Sequence, residues 1–158
     1  MADKYFLEEV MTKYPNTNAG SCAIFLLVIG QKIYVTNVGD SRLVGSYHGG
    51  KTFKQISRDH RPSDKLEYDR VIKAGGQVYQ SLLKGPYRIF PGRLSVSRSF
   101  GDAQAKLINL GGNPNVLTCE PEFHLVNAQD GVDFVVMGSD GLYDKLTNEE
   151  ICETVWVI

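Results

Sequence analysis

Cysteine is scarce in this sequence: Cys22, Cys119 and Cys152 are scattered, odd in number and form no Cys-x-x-Cys pair. That excludes a zinc ribbon and a disulfide framework. The three thiols read instead as reduced, mostly buried small side chains of an intracellular protein. Long hydrophobic runs are lacking too. The longest, Ala23 to Ile29, is far too short to cross a bilayer. The opening MADKYFLEEV carries charge where a secretory signal would carry an apolar core. Neither sign of charge is in excess, with 17 Lys+Arg against 18 Asp+Glu and a formal net charge of -1. No basic surface for nucleic acid and no polyanionic tail follows from that balance. Also absent are the Gly-x-x-x-x-Gly-Lys-Ser/Thr loop, the Gly-x-Ser-x-Gly elbow and the His-Glu-x-x-His helix. A P-loop nucleotidase, an α/β-hydrolase and a zincin are therefore not indicated.

What is present is enough length for one core, with a hydrophobic fraction of 42% and a charged fraction of 22%. Lys4 to Tyr14 reads as a helix, with Phe6, Leu7, Val10, Met11 and Tyr14 at helical spacing and Pro15 as its stop. After a polar turn at Asn16 to Gly20, Ser21 to Ile29 and Lys32 to Val38 form a hairpin about Gly30-Gln31. The first of these strands is so continuously apolar that burial on both faces is expected. Further strands are expected at Leu43 to Tyr47, Phe53 to Ile56, Gln77 to Gln80, Tyr87 to Phe90, Glu122 to Val126 and Phe134 to Met137. Asp64 and Glu67 start a helix that turns Leu66, Val71 and Ile72 inward and stops at Gly75-Gly76; Thr147 and Glu150 form the capping box of another, bearing Ile151 and Val155. Helices inserted between meandering strands, without regular strand-helix alternation, indicate an α+β fold with an antiparallel sheet or sandwich.

Ser139-Asp140-Gly141 follows the apolar run Phe134 to Met137, so Asp140 stands at a sheet edge where Gly141 permits close approach. Asp144 follows four residues later. Paired hard carboxylates suit Mg²⁺ or Mn²⁺, but the same residues can equally cap a turn and a helix. Arg58-Asp59-His60-Arg61-Pro62 offers another carboxylate and a histidine, or simply a solvated loop before a helix. Arg93 and Arg98, with Ser95, Ser97 and Ser99 between them, have the chemistry to bind phosphate; the alternation also describes a half-buried strand. His48 and His124 have no partner motif.

Taken in order, several segments resemble the PPM (type 2C) metal-dependent protein serine/threonine phosphatases. They are Gly20-Ser21-Cys22-Ala23; Val35 to Val38 with Gly39-Asp40-Ser41-Arg42; Asp59-His60-Arg61-Pro62; and Ala74-Gly75-Gly76. After them come Leu94 to Ser97 with Arg98-Ser99-Phe100-Gly101-Asp102, then Pro121-Glu122, and finally Phe134 to Asp144. The likeness runs from about Gly20 onward. It implies a single, incomplete phosphatase domain over residues 1–158, a partial antiparallel β-sandwich flanked by helices with a metal centre at one end. In that family two Mg²⁺ or Mn²⁺ ions bridge a water that attacks phosphoserine or phosphothreonine in line, without a covalent enzyme intermediate. The resemblance assigns Asp140 to the core metal pair and Asp59 and Asp144 to a weaker additional site. Gly39, Asp40, Ser41, Arg42, Arg98, Gly101, Asp102 and Gly141 match signatures read as structural support.

The family's Arg-Glu-Asp and Asp-Gly-His-Gly elements and its closing Asp-Asn pair are missing from these residues. No catalytic residue is therefore identifiable, the general-acid histidine motif included, and only weak or partial metal binding is expected. The expected partner is a phosphoprotein substrate, with no nucleic acid and no membrane, and self-association through exposed sheet edges. A phosphatase whose own turnover is in question stands beside two alternatives: a non-catalytic phosphoprotein-binding module, and a fragment that completes another chain's sheet. Cytoplasm and nucleus are not separated, since no basic targeting run is present.

Overall fold

The computed structural model of the chain describes residues 1–14, 17–80 and 84–157. Pro15 as a helix stop, Asn16 in the following turn and Ile158 lie outside the described residues. In chain order the first elements are α1 (Ala2–Lys13), β1 (Gly20–Ser21), β2 (Ala23–Ile29), β3 (Lys32–Val38), β4 (Arg42–Tyr47), β5 (Thr52–Gln55) and α2 (Lys65–Lys73). There follow β6 (Gln77–Gln80), β7 (Tyr87–Phe90), β8 (Phe100–Gly101), α3 (Ala103–Lys106), β9 (Glu122–Asn127), β10 (Val132–Gly138), α4 (Asp140–Tyr143) and α5 (Asn148–Val157). They divide into two compact units, Met1–Ala23 with His60–Glu120, and Ile24–Asp59 with Pro121–Ile158.

The first unit packs Val71, Ile89, Ala105, Val116 and Leu117 into one core. Helix α2 begins where the Asp64 carboxylate accepts the backbone N–H groups of Leu66 (3.0 Å) and Glu67 (3.1 Å), and it ends before Gly75, whose φ of 82° needs no Cβ. Its inward stripe differs from expectation. Val71 is buried, but Leu66 and Ile72 are 63% and 44% exposed. Glu67, one turn before Val71, faces inward instead because its charge is satisfied there by arginines, as described below. In α1, Asp3 and Val10 are buried, whereas Phe6 and Tyr14, expected on the inner face, are exposed. Asp3 turns the helix: its carboxylate accepts Lys106 Nζ (2.7 Å) and the Gly101 N–H (2.6 Å) in a buried site.

The second unit is the sandwich. One sheet has the order β2-β3-β9 and the other β10-β4-β5, with β3–β9, β4–β10 and β4–β5 antiparallel. Ile33, Val35 and Leu43 form the core between them, packed by Ile24, Leu26, Ile56, Val126 and Val135. On the other side of β10-β4-β5, Val44 meets Tyr143, Ile151 and Cys152 from the helices. Strand β2 is not buried on both faces: Phe25, Leu27 and Ile29 are 58%, 44% and 59% exposed. It is an edge strand whose alternate residues, Ile24 and Leu26, meet the core. Its other face is open among the described residues.

Candidate functional site

Antiparallel register brings the start of β4, with Arg42, and the end of β10, which leads to Asp140, to one end of the second unit. Gly138 at the close of β10 pairs with Arg42 at the start of β4. Two residues beyond Gly138, Asp140 opens α4 at an exposed position, and its carbonyl accepts the Asp144 N–H at 2.8 Å. Gly141 is not required by crowding, since a Cβ there would meet only Ser139 Oγ at 3.5 Å. Arg42, Tyr143, Asp144, Lys145, Leu146, Thr147 and Asn148 line a shallow concavity at this end.

Arg42 is fixed on every side. Its Nε and Nη2 donate to the two carboxylate oxygens of Asp59 at 3.0 and 2.6 Å, its Nη1 donates to Asn148 Oδ1 at 2.9 Å, and its guanidinium lies 4.9 Å from the centre of the Tyr143 ring. Gln55 Nε2 adds a third hydrogen bond to Asp59, at 3.1 Å. Tyr143 donates its hydroxyl to the Val136 carbonyl at 2.9 Å. Burial pushes that hydroxyl's pKa up to about 12, with the charges of Cys152 and Asp59 adding to the rise and Arg42 opposing it.

The signature turn that delivers Arg42 is itself built. Asn37, fully buried, donates through Nδ2 to the carbonyls of Gly39, Ser41 and Arg58, each at 3.0 Å, and Gly39 turns the chain at φ 107°. Arg58 pairs with Glu122 on β9 at 3.0 Å. Asp59 and His60 are buried, so this stretch is not the solvated loop that was the plainer reading.

In the first unit the Arg98 signature serves the fold. Arg98 pairs with Glu67 (2.6 Å), Arg70 does so at 2.9 Å, and Ser97 Oγ donates to the same carboxylate at 2.6 Å. Arg98 is thus directed to a carboxylate, not held out for phosphate. Asp102, at φ 56°, accepts from Ser99 Oγ (2.6 Å), and a Cβ on Gly20 would overlap its carboxylate.

A hard divalent cation needs several oxygens in a fixed shell. Among the described residues no three His, Cys, Asp or Glu gather in a way that could hold one. Both oxygens of Asp59 already face a guanidinium. The three carboxylates as arranged therefore do not fit a shared metal site, and Asp140 and Asp144 are the ones left in exposed positions. Gln55, Asn148 and Tyr143, which complete the Arg42 environment, were not singled out in the sequence. Tyr143 had a local signal in the Phe134 to Asp144 segment and Asn148 in its position directly after the Thr147 cap; Gln55 had none.

Comparison with known proteins bears on the family and the fold. A family model described as Protein phosphatase 2C matches residues 2–156. The chain is 38% identical over 134 residues to "Probable protein phosphatase 2C 69" of Arabidopsis thaliana, covering 85% of this chain and 34% of that protein. It is 33% identical over 138 residues to Protein phosphatase 1B of Rattus norvegicus, covering 87% of this chain and 33% of that one. It thus spans about a third of the length of these relatives. Among solved structures, serine-threonine phosphatase 2C from Toxoplasma gondii superposes with a TM-score of 0.80 at 20% identity, over 96% of this chain and 51% of that one. A C. elegans sex determining protein gives a TM-score of 0.80 at 24% identity, over 97% and 34%. These two likenesses concern the fold.

Proposed function

The chain belongs to the protein phosphatase 2C family, and we propose that it carries one part of a site that hydrolyses phosphoserine and phosphothreonine in proteins. The observation that supports this reading is the meeting of β10 and β4, which pairs Gly138, two residues before Asp140, with Arg42 and leaves Asp144 lining one concavity with Arg42 at that end of the sandwich. Chemistry in this family is metal-dependent, with Mg²⁺ or Mn²⁺. Asp140 is the residue we assign to that metal. With one such carboxylate the present residues hold a cation weakly, so turnover by them alone is expected to be slow. The two units are read as parts of one incomplete phosphatase domain. Self-association through the open face and edge of β2 belongs to the same proposal.

The test is release of phosphate from a phosphothreonine peptide, with and without Mn²⁺, by the purified chain and by Asp140→Asn. Slow release that needs Mn²⁺ and is lost in Asp140→Asn supports the reading. Release indifferent to both overturns it. A folded chain that binds the phosphopeptide without releasing phosphate favours the second reading, a non-catalytic phosphoprotein-binding module. That alternative rests on Asp59 already being held by Arg42.

A further inference from the structure

We propose that Arg42 takes the place of a metal ion on Asp59: the guanidinium occupies the carboxylate and keeps it out of metal coordination, and removing Arg42 creates a cation site that the native chain lacks. The proposal starts from the family reading, which would make Asp59 a ligand, but its support is the geometry of this pair.

Two parallel N–H···O bonds, at 3.0 and 2.6 Å, take one oxygen of Asp59 each. This fork-to-fork fit is the geometry in which arginine binds a carboxylate best. Gln55 Nε2 adds a bond to Oδ1. The Asp59 side chain is 10% exposed and that of Arg42 19%, so little water competes with the pair. Arg42 cannot easily swing away. Asn148 Oδ1 holds its Nη1 and the Tyr143 ring lies under its plane. Mg²⁺ or Mn²⁺ would need an Asp59 oxygen at roughly 2.0–2.2 Å, in space that a positive group already fills. Like charges at such a distance repel strongly in a poorly hydrated site. The neighbours also suit the replacement idea. The oxygens of Asp59 and Asn148 Oδ1, all of the hard type, accept from the one guanidinium, and Gln55 borders them with its Nε2 on Asp59 and its Oε1 3.5 Å from Asn148 Nδ2.

The test is a Mn²⁺ titration of the full chain followed by electron paramagnetic resonance, which reads free Mn²⁺ without any turnover. Native chain, Asp59→Asn, Arg42→Gln and the double variant are compared. Expected is an unchanged isotherm for Asp59→Asn, within about twofold of native. Arg42→Gln should tighten binding or add a site by at least about tenfold, and the double variant should lose that gain. Weakened binding in Asp59→Asn alone would show that Asp59 already binds metal and would overturn the proposal. So would an Arg42→Gln chain that is folded and gains nothing. If Arg42→Gln does not fold, Arg42→Met replaces it: its side chain keeps the packing on the Tyr143 ring without the charge, the same gain is expected, and no gain again overturns the proposal. Loss of phosphatase activity in any variant bears on the functional reading and leaves this one untouched.

Discussion

At Glu67 one buried carboxylate collects Arg98, Arg70 and Ser97. Burial pulls its pKa upward, but the hydrogen bonds from Arg98 and Ser97 and the charges of both arginines outweigh that and hold it at about 2, against an ordinary 4.5. A carboxylate whose pKa falls on folding stabilises the fold fully above its unfolded value, and the contribution disappears as the pH drops through the folded value. Acid unfolding followed by circular dichroism should therefore show stability falling between pH 4.5 and about 2, on the order of 3 kcal/mol from this group. Glu67→Gln should flatten that window. It should also destabilise the chain at neutral pH by about 3 kcal/mol, because two arginines lose their partner. An unchanged acid profile would contradict the assignment. The Asp64–Glu67 spacing was legible as a helix start, but only its first half behaves that way: Asp64 caps, while the Glu67 side chain turns to Arg98, 31 positions away. The Arg42–Asp59 pair shows the same limit. Both signatures stand out in the sequence, but their union across 17 positions is a product of β4 meeting the end of β5.

Local rules carried further for the elements. The Thr147–Glu150 capping box is present on both sides, with Thr147 N–H donating to Glu150 Oε2 (2.8 Å) and Glu150 N–H donating to Thr147 Oγ1 (3.2 Å). The Thr147 N–H and the Thr147 hydroxyl, which donates to the same Oε2 at 3.0 Å, hold the Glu150 carboxyl below its usual range. Thr147→Ala should cost about 1 kcal/mol in urea unfolding; no change would mean α5 is held by Ile151 and Cys152 alone. The two-residue strands β1 and β8 were beyond reach of pattern reading, since they pair only because Gly20 lies against Gly101. Gly20→Ala tests that contact. Its Cβ would overlap the Asp102 carboxylate, and a loss of about 1–3 kcal/mol is expected. The short helices α3 and α4 were likewise unreadable. Four residues give too little periodicity, and α4 appears only because the chain must turn off β10.

For the whole molecule, the α+β class followed from strand spacing and turn residues, which left an antiparallel sheet or sandwich open; the sandwich followed from the family resemblance. What failed was burial. Continuous apolar character in β2 suggested cover on both faces, but a strand with one buried face can be apolar on the other when that face has a partner outside the described residues or none. Phe25, Leu27, Ile29, Phe123 and Leu125 share that exposed, apolar side of β2-β3-β9. Sedimentation velocity should show concentration-dependent association of the chain, reduced by Leu27→Lys; a single monomeric species for both would remove the association proposal. The arrangement of charged groups at the other end is best examined in crystals soaked in Mn²⁺, using the anomalous signal of the metal. A peak on the Asp140 carboxylate, with Arg42 still bidentate on Asp59, is the expected result. A peak coordinated by Asp59 with Arg42 displaced, or none at Asp140, would contradict it.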